Sequence, residues 1–200
     1  MRMRKVAFVL AACTLLAQTP AGMTGRWRSA ETSKGGIGAM YEFRADGSMS
    51  FSPGAIVEMP YRVEGNQLIL PPATTNGPEQ KSTLVWLSDD RFTLDLGTAS
   101  AEAFVRQGSR RDAQDKLLGE WLTSRDLNGQ KVVERMIFSA GNKCLLLIPF
   151  TTQSGRYTVT NGSLRAVLGG AVGLEGPVTA ANGTLTIQRS GGRVLKLLAY

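Results

Sequence analysis

Histidine is absent from the whole 200-residue chain, which removes the usual general base, the commonest zinc ligand and the usual activator of a nucleophilic serine or cysteine. Cysteine is nearly absent too: there are two, Cys13 and Cys144. Cys13 falls in an N-terminal leader, so Cys144 alone leaves the mature chain without an intramolecular disulfide. Cys144 opens the apolar run Cys144-Leu145-Leu146-Leu147-Ile148 and is expected as a small buried hydrophobe rather than a reactive thiol. There is no Gly-x-Ser-x-Gly, P-loop or dinucleotide fingerprint. The glycine-rich stretches Gly35-Gly36-Ile37-Gly38 and Gly169-Gly170-Ala171-Val172-Gly173 open no helix, so they are loops rather than phosphate cradles. Carboxylate pairs such as Asp89-Asp90, or Glu31 with Glu42, fit hairpin turns better than acid–base work. Met23, Met40, Met49 and Met59 could offer thioethers to Cu(I), but with no Cys or His beside them they fit core filler better. The expectation is no enzyme, no catalytic residues, no cofactor and no metal.

Charge is present but not blocked. Arg2, Arg4 and Lys5 precede an apolar run from Val6 to Leu16, followed by small residues at Ala17 and Ala21, the order of a secretory signal over residues 1–21. Leu10-Ala11-Ala12-Cys13 offers an alternative, a lipid anchor at Cys13. The run is far short of the roughly 20 residues a transmembrane helix needs. A periplasmic or secreted protein is expected. Without the leader the formal charge falls from +7 to +4, with 20 Lys and Arg against 16 Asp and Glu. The basic residues form no stripe beside stacking aromatics, so no nucleic-acid partner is expected.

What the chain has is a repeat. Gly25-Arg26-Trp27 returns as Gly119-Glu120-Trp121 at an offset of 94, Phe43 returns as Phe138 at 95, and Tyr61 as Tyr157 at 96. Between these anchors, short runs of Val, Ile, Leu, Thr and aromatics alternate with turn dipeptides such as Asp46-Gly47, Gly65-Asn66, Gly141-Asn142, Asn161-Gly162 and Asn182-Gly183. Strands are expected over 25–30, 38–45, 48–52, 59–64, 67–70, 82–88, 90–96 and 101–106. The second repeat gives 119–125, 130–138, 143–148, 154–160, 163–168, 174–180, 184–189 and 193–199. The one candidate helical turn is 112–118. Eight hairpin-linked strands avoid exposed edges by closing into an up-and-down barrel. The expected organisation is an all-β chain of two tandem barrels, residues 22–108 and 117–200, joined by a linker at 109–116.

A Gly-x-Trp opening the first strand of an eight-stranded barrel resembles the lipocalins and the wider calycin group, through Gly25 with Trp27 and Gly119 with Trp121. The resemblance implies that each Trp plugs one barrel end beneath a basic residue of the last strand. It would place Arg106 over Trp27, with Lys196 a substitute in the second repeat, where the chain reaches Tyr200 instead of Arg. It also implies a non-enzymatic exported protein binding a small apolar ligand or an envelope component, protein included. The expected ligand-binding residues are Tyr61, Trp86, Tyr157 and Phe150, with mouth-forming loops at 31–38, 71–81, 149–154 and 169–176. Short strands leave little interior room, so the competing expectation is a protein–protein module such as an exported calycin-type protease inhibitor.

Overall fold

β-Branched and aromatic runs punctuated by Gly and Asn favour extended chain joined by tight hairpins. A computed structural model describes residues 22–72, 74, 76–95, 101–109, 116–127 and 129–200. The expected signal with Cys13, and most of the expected helical turn, lie outside the described residues. The described residues are all-β apart from one short 3-10 turn at Ser190–Gly192: β1 (Gly25–Ser29), β2 (Ile37–Phe43), β3 (Ser48–Pro60), β4 (Arg62–Glu64), β5 (Gln67–Leu70), β6 (Gln80–Ser88), β7 (Arg91–Asp95), β8 (Glu102–Gln107), β9 (Gly119–Leu127), β10 (Gln130–Ser139), β11 (Lys143–Pro149), β12 (Gln153–Thr160), β13 (Ser163–Leu168), β14 (Ala171–Ala181), β15 (Thr184–Gln188) and β16 (Val194–Ala199). Asn142, Asn161 and Asn182 carry positive φ in three of the hairpin turns, as the turn dipeptides require.

All sixteen strands join one antiparallel sheet, and they do not sort by repeat. β12, β13, β14, β15, β16, β1, β2 and β3 follow one another, and β12 pairs back onto β3, closing an eight-stranded barrel. The remaining strands run from β11 through β10 and onward to β4 as a second lobe. β11 pairs with residues 54–60 of β3. The chain leaves that stretch through Tyr61, whose N–H donates to the Asn142 carbonyl at 2.8 Å, and enters β4.

The expectation that 22–108 and 117–200 each close on themselves is therefore corrected. The barrel takes β1 to β3 from the first repeat and β12 to β16 from the second, while the second lobe is the unbroken stretch from about 54 to 149. The cause lies in β3. A self-closing repeat would fold back after residue 52; instead β3 runs on for 13 residues and lies antiparallel to β11 and β12, from Lys143↔Pro60 to Arg156↔Ser48. Residues 109–116 likewise connect neighbours within the second lobe rather than two domains, because β8 pairs with β9 through Arg106↔Trp121. In the barrel the matching neighbours are β16 and β1, through Trp27↔Ala199.

Where the long strands cross, Ser52 Oγ and Thr152 Oγ1 are 2.8 Å apart and Phe150 N–H donates to the Pro53 carbonyl at 2.9 Å. Gly54 is required here: a Cβ would collide with the Ile148 carbonyl and lie 2.9 Å from Pro149 Cα. The barrel core gathers Trp27, Tyr41, Phe43, Met49, Tyr157 and Leu164, and that of the second lobe Tyr61, Phe92, Phe104, Trp121 and Phe138. Each buried side chain of this size contributes about 1.5–3 kcal/mol. The edge-on ring pairs Phe43–Tyr157 (5.1 Å) and Tyr61–Phe138 (4.9 Å) each join one residue from each repeat.

Candidate functional site

The two tryptophans are held alike at their indole nitrogens. Trp27 Nε1 donates to the Met23 carbonyl at 2.9 Å, and Trp121 Nε1 to the Leu117 carbonyl at 2.8 Å. Arg106 lies over Trp121, with Cζ 4.0 Å from the ring centroid, not over Trp27 as expected; the correction follows from β8 pairing with β9. Its guanidinium is buried, donates to the carbonyls of Leu118 (2.6 Å) and Lys116 (2.5 Å), and lies 3.0 Å from Asp90 Oδ1. Ala199 takes the matching place opposite Trp27. Lys196, the expected substitute, is exposed on β16 and pairs with Thr186.

Beside Trp121 is an open hollow of about 440 Å³. It brings together two of the four sequence-predicted ligand residues, Tyr61 and Trp86, with Leu84 and Leu117; Arg62, Asn66, Lys116 and Asn142 form its polar edge. Tyr61, at the junction of β3 and β4, and Trp86 on β6 stand on this wall. Trp86 meets Trp121 edge-on at 5.8 Å and Phe92 at 5.4 Å, which fixes its orientation. Arg62 forks onto Glu79 at 2.6 and 2.8 Å and reaches Glu64 at 2.7 Å. Lys116 pairs with Asp89 at 2.9 Å and lies 5.5 Å from the Trp86 centroid. The rim charges are thus paired, and the hollow presents polar and apolar surface in about equal measure, with Tyr61, Leu84 and Leu117 buried beneath it.

Tyr157 and Phe150 lie elsewhere. Tyr157 is in the barrel core, its hydroxyl donating to the Arg44 carbonyl at 2.7 Å, while Phe150 is exposed at the crossing of the long strands. Of the expected mouth loops, 169–176 is strand from Ala171 onward, and 149–154 contributes to a separate cleft. Leu84, Leu117, Asn66 and Asn142 were missed, although Asn66 and Asn142 sit in recognised turns and Leu117 precedes Trp121 as Met23 precedes Trp27.

That cleft, of about 290 Å³, lies between the barrel and the second lobe. Arg26 forks onto both oxygens of Glu120, at 2.5 and 2.6 Å, so the middle residues of the two Gly-x-Trp motifs meet. Burial pushes the Glu120 carboxyl up, but the Arg26 hydrogen bonds and the charges of Arg135 and Arg26 outweigh it and hold it below the usual range. In the second lobe Glu134 is buried, 3.1 Å from Arg125 Nε. Its burial raises the carboxyl above its usual value, with Arg125 opposing and Glu102 reinforcing the shift. Burial likewise pushes the Cys144 thiol up to about 12, the state of an inert core residue. Met23 and Met49 lie in the barrel core, Met40 in a third cluster and Met59 against the core of the second lobe.

The chain matches no family model, no curated protein and no solved structure.

Proposed function

We propose that this is an exported, non-enzymatic binding protein of two lipocalin-like barrels, the second lobe being the second of them, which takes a small apolar molecule or the apolar part of an envelope component beside Trp121. The observation that carries this reading is the hollow walled by Tyr61, Leu84, Trp86 and Leu117. Its volume falls in the lower part of the range for small-molecule sites, and aromatic and aliphatic side chains stand beside polar ones in its lining. Packed aromatics occupy both cores, which puts capacity at the barrel end rather than in the lumen. Export rests on the charge and apolar order of residues 2–21. The second-barrel reading is supported by the run of residues 54–64, paired with β11 on one side and β5 on the other.

Titration of the purified protein with the apolar fluorophore N-phenyl-1-naphthylamine tests it. One saturable site is expected, weakened about tenfold or more by Trp86→Ala, the loss of one buried aromatic contact. An unsaturable response, or equal affinity in the variant, removes the reading. A protein–protein module is favoured by one further observation, the exposed apolar side chains Val85, Leu87 and Val105 on β6 and β8. A stoichiometric protein partner recovered from a periplasmic extract, with no fluorophore site, would put that reading first.

A further inference from the structure

We propose that the cleft between the barrel and the second lobe is a second binding site, selective for a small hydroxylated anion of the size of one sugar-acid ring. The charge count there is unequal. Two guanidiniums, Arg26 and Arg135, converge on the single carboxylate of Glu120. Arg26 occupies both oxygens. Arg135 Nε comes within 2.6 Å of Glu120 Oε1, and the Arg135 side chain also bonds the Tyr200 side chain. Two guanidiniums thus share one carboxylate, which leaves a net positive charge on partly buried side chains, where partial desolvation strengthens its pull on an anion. The planar fork of a guanidinium suits a carboxylate in particular. The neighbouring pair Arg44–Glu42 is balanced and does not cancel this surplus.

The wall facing these arginines is built of hydroxyls. Ser50 and Ser154 are register partners, and Ser52 and Thr152 bond each other at 2.8 Å. Each can both donate and accept, so a ring carrying several hydroxyls finds partners of either kind. Met40 and Leu147, both buried, form the floor of the cleft. The cleft, at about 290 Å³, is sized for one ring rather than a chain. It draws on both lobes, and the proposal stands apart from the Trp86 hollow.

Isothermal titration of the mature protein with glucuronate tests it, with glucose as the neutral ring and acetate as the anion without hydroxyls. Glucuronate is expected to bind about tenfold or more tightly than either, an affinity that falls as salt rises from about 50 to about 500 mM. Arg135→Gln should weaken it about tenfold, and Ser52→Ala with Thr152→Val several-fold; these exposed hydroxyls are outside every core, so the second variant keeps the test decisive should the first lose its fold. Glucuronate should leave the naphthylamine fluorophore undisplaced. No saturable binding, equal binding of glucuronate with glucose or acetate, or unchanged affinity in the hydroxyl variant would overturn the proposal.

Discussion

The barrel and the second lobe are built from the same two half-repeats in reciprocal combination, yet their ends differ. Over Trp121 lies a buried guanidinium, tied to two backbone carbonyls and Asp90, with Trp86 alongside. Over Trp27 the corresponding place holds Ala199. The scaffold keeps the indole and its carbonyl partner in both, because those hold the first strand in place. What varies is the covering, and the better-covered end is also the one with the aromatic hollow.

The largest test of this comparison concerns which segments stand alone. Residues 54–149 carry every strand pairing of the second lobe, and as a separate chain they are expected to fold, with a cooperative melt and a β-type circular dichroism spectrum. Residues 117–200 hold only three strands of one unit and five of the other, and are expected to lack such a melt or to associate. Independent folding of 117–200 as a monomer would break the exchanged arrangement. Next come the plugs. Trp121→Ala should cost about 3–5 kcal/mol and Trp27→Ala fall toward the lower end, as large core deletions, read from denaturant midpoints at constant slope. The expected gap between them comes from Arg106, which loses its ring face only in the first variant. Arg106→Met isolates that part. It leaves the Leu118 and Lys116 carbonyls without their donor and should cost about 2–3 kcal/mol.

The smallest effect is a pH profile. Glu134 in the second lobe stands where the barrel has Ala39, at the repeat offset of 95, and burial raises its folded-state carboxyl above the ordinary 4.5. Folding then favours the protonated form. The stability it contributes is fully present below the unfolded value and is lost as pH rises through the folded value. Glu134→Gln should therefore be more stable than the parent at neutral pH, with the difference vanishing below about pH 4.5. A difference that instead grows on acidification would show that Arg125, not burial, governs this carboxyl.

Much of the strand pattern was legible because hairpin turns have local chemistry: Asn161-Gly162 and Asn182-Gly183 stand at the turns their sequences specify, and 67–70 and 163–168 are strands with the expected bounds. The closed barrel followed from the same pattern. Strand partnership did not. A repeat identifies equivalent strands, but equivalent strands present equivalent edges, so either copy can complete the barrel. The choice rests on residues 53–58, expected as a break and found within β3, where Pro53-Gly54 suggests a turn in isolation but permits a crossing when a second strand approaches. The place of Arg106 failed for the same reason, since its partner is whichever Trp lies beside β8. Tyr61 and Trp86, expected from their aromatic character, line one hollow. Leu117 and Asn142 join them there only through being brought to one end of the lobe.

The insertion of one lobe within the other imposes an order on a nascent chain. The opening strands emerge first but have no ring to join until the last quarter of the protein has been made, whereas everything needed for the inner lobe arrives in a single stretch. The inner lobe can settle at once; the outer barrel must wait.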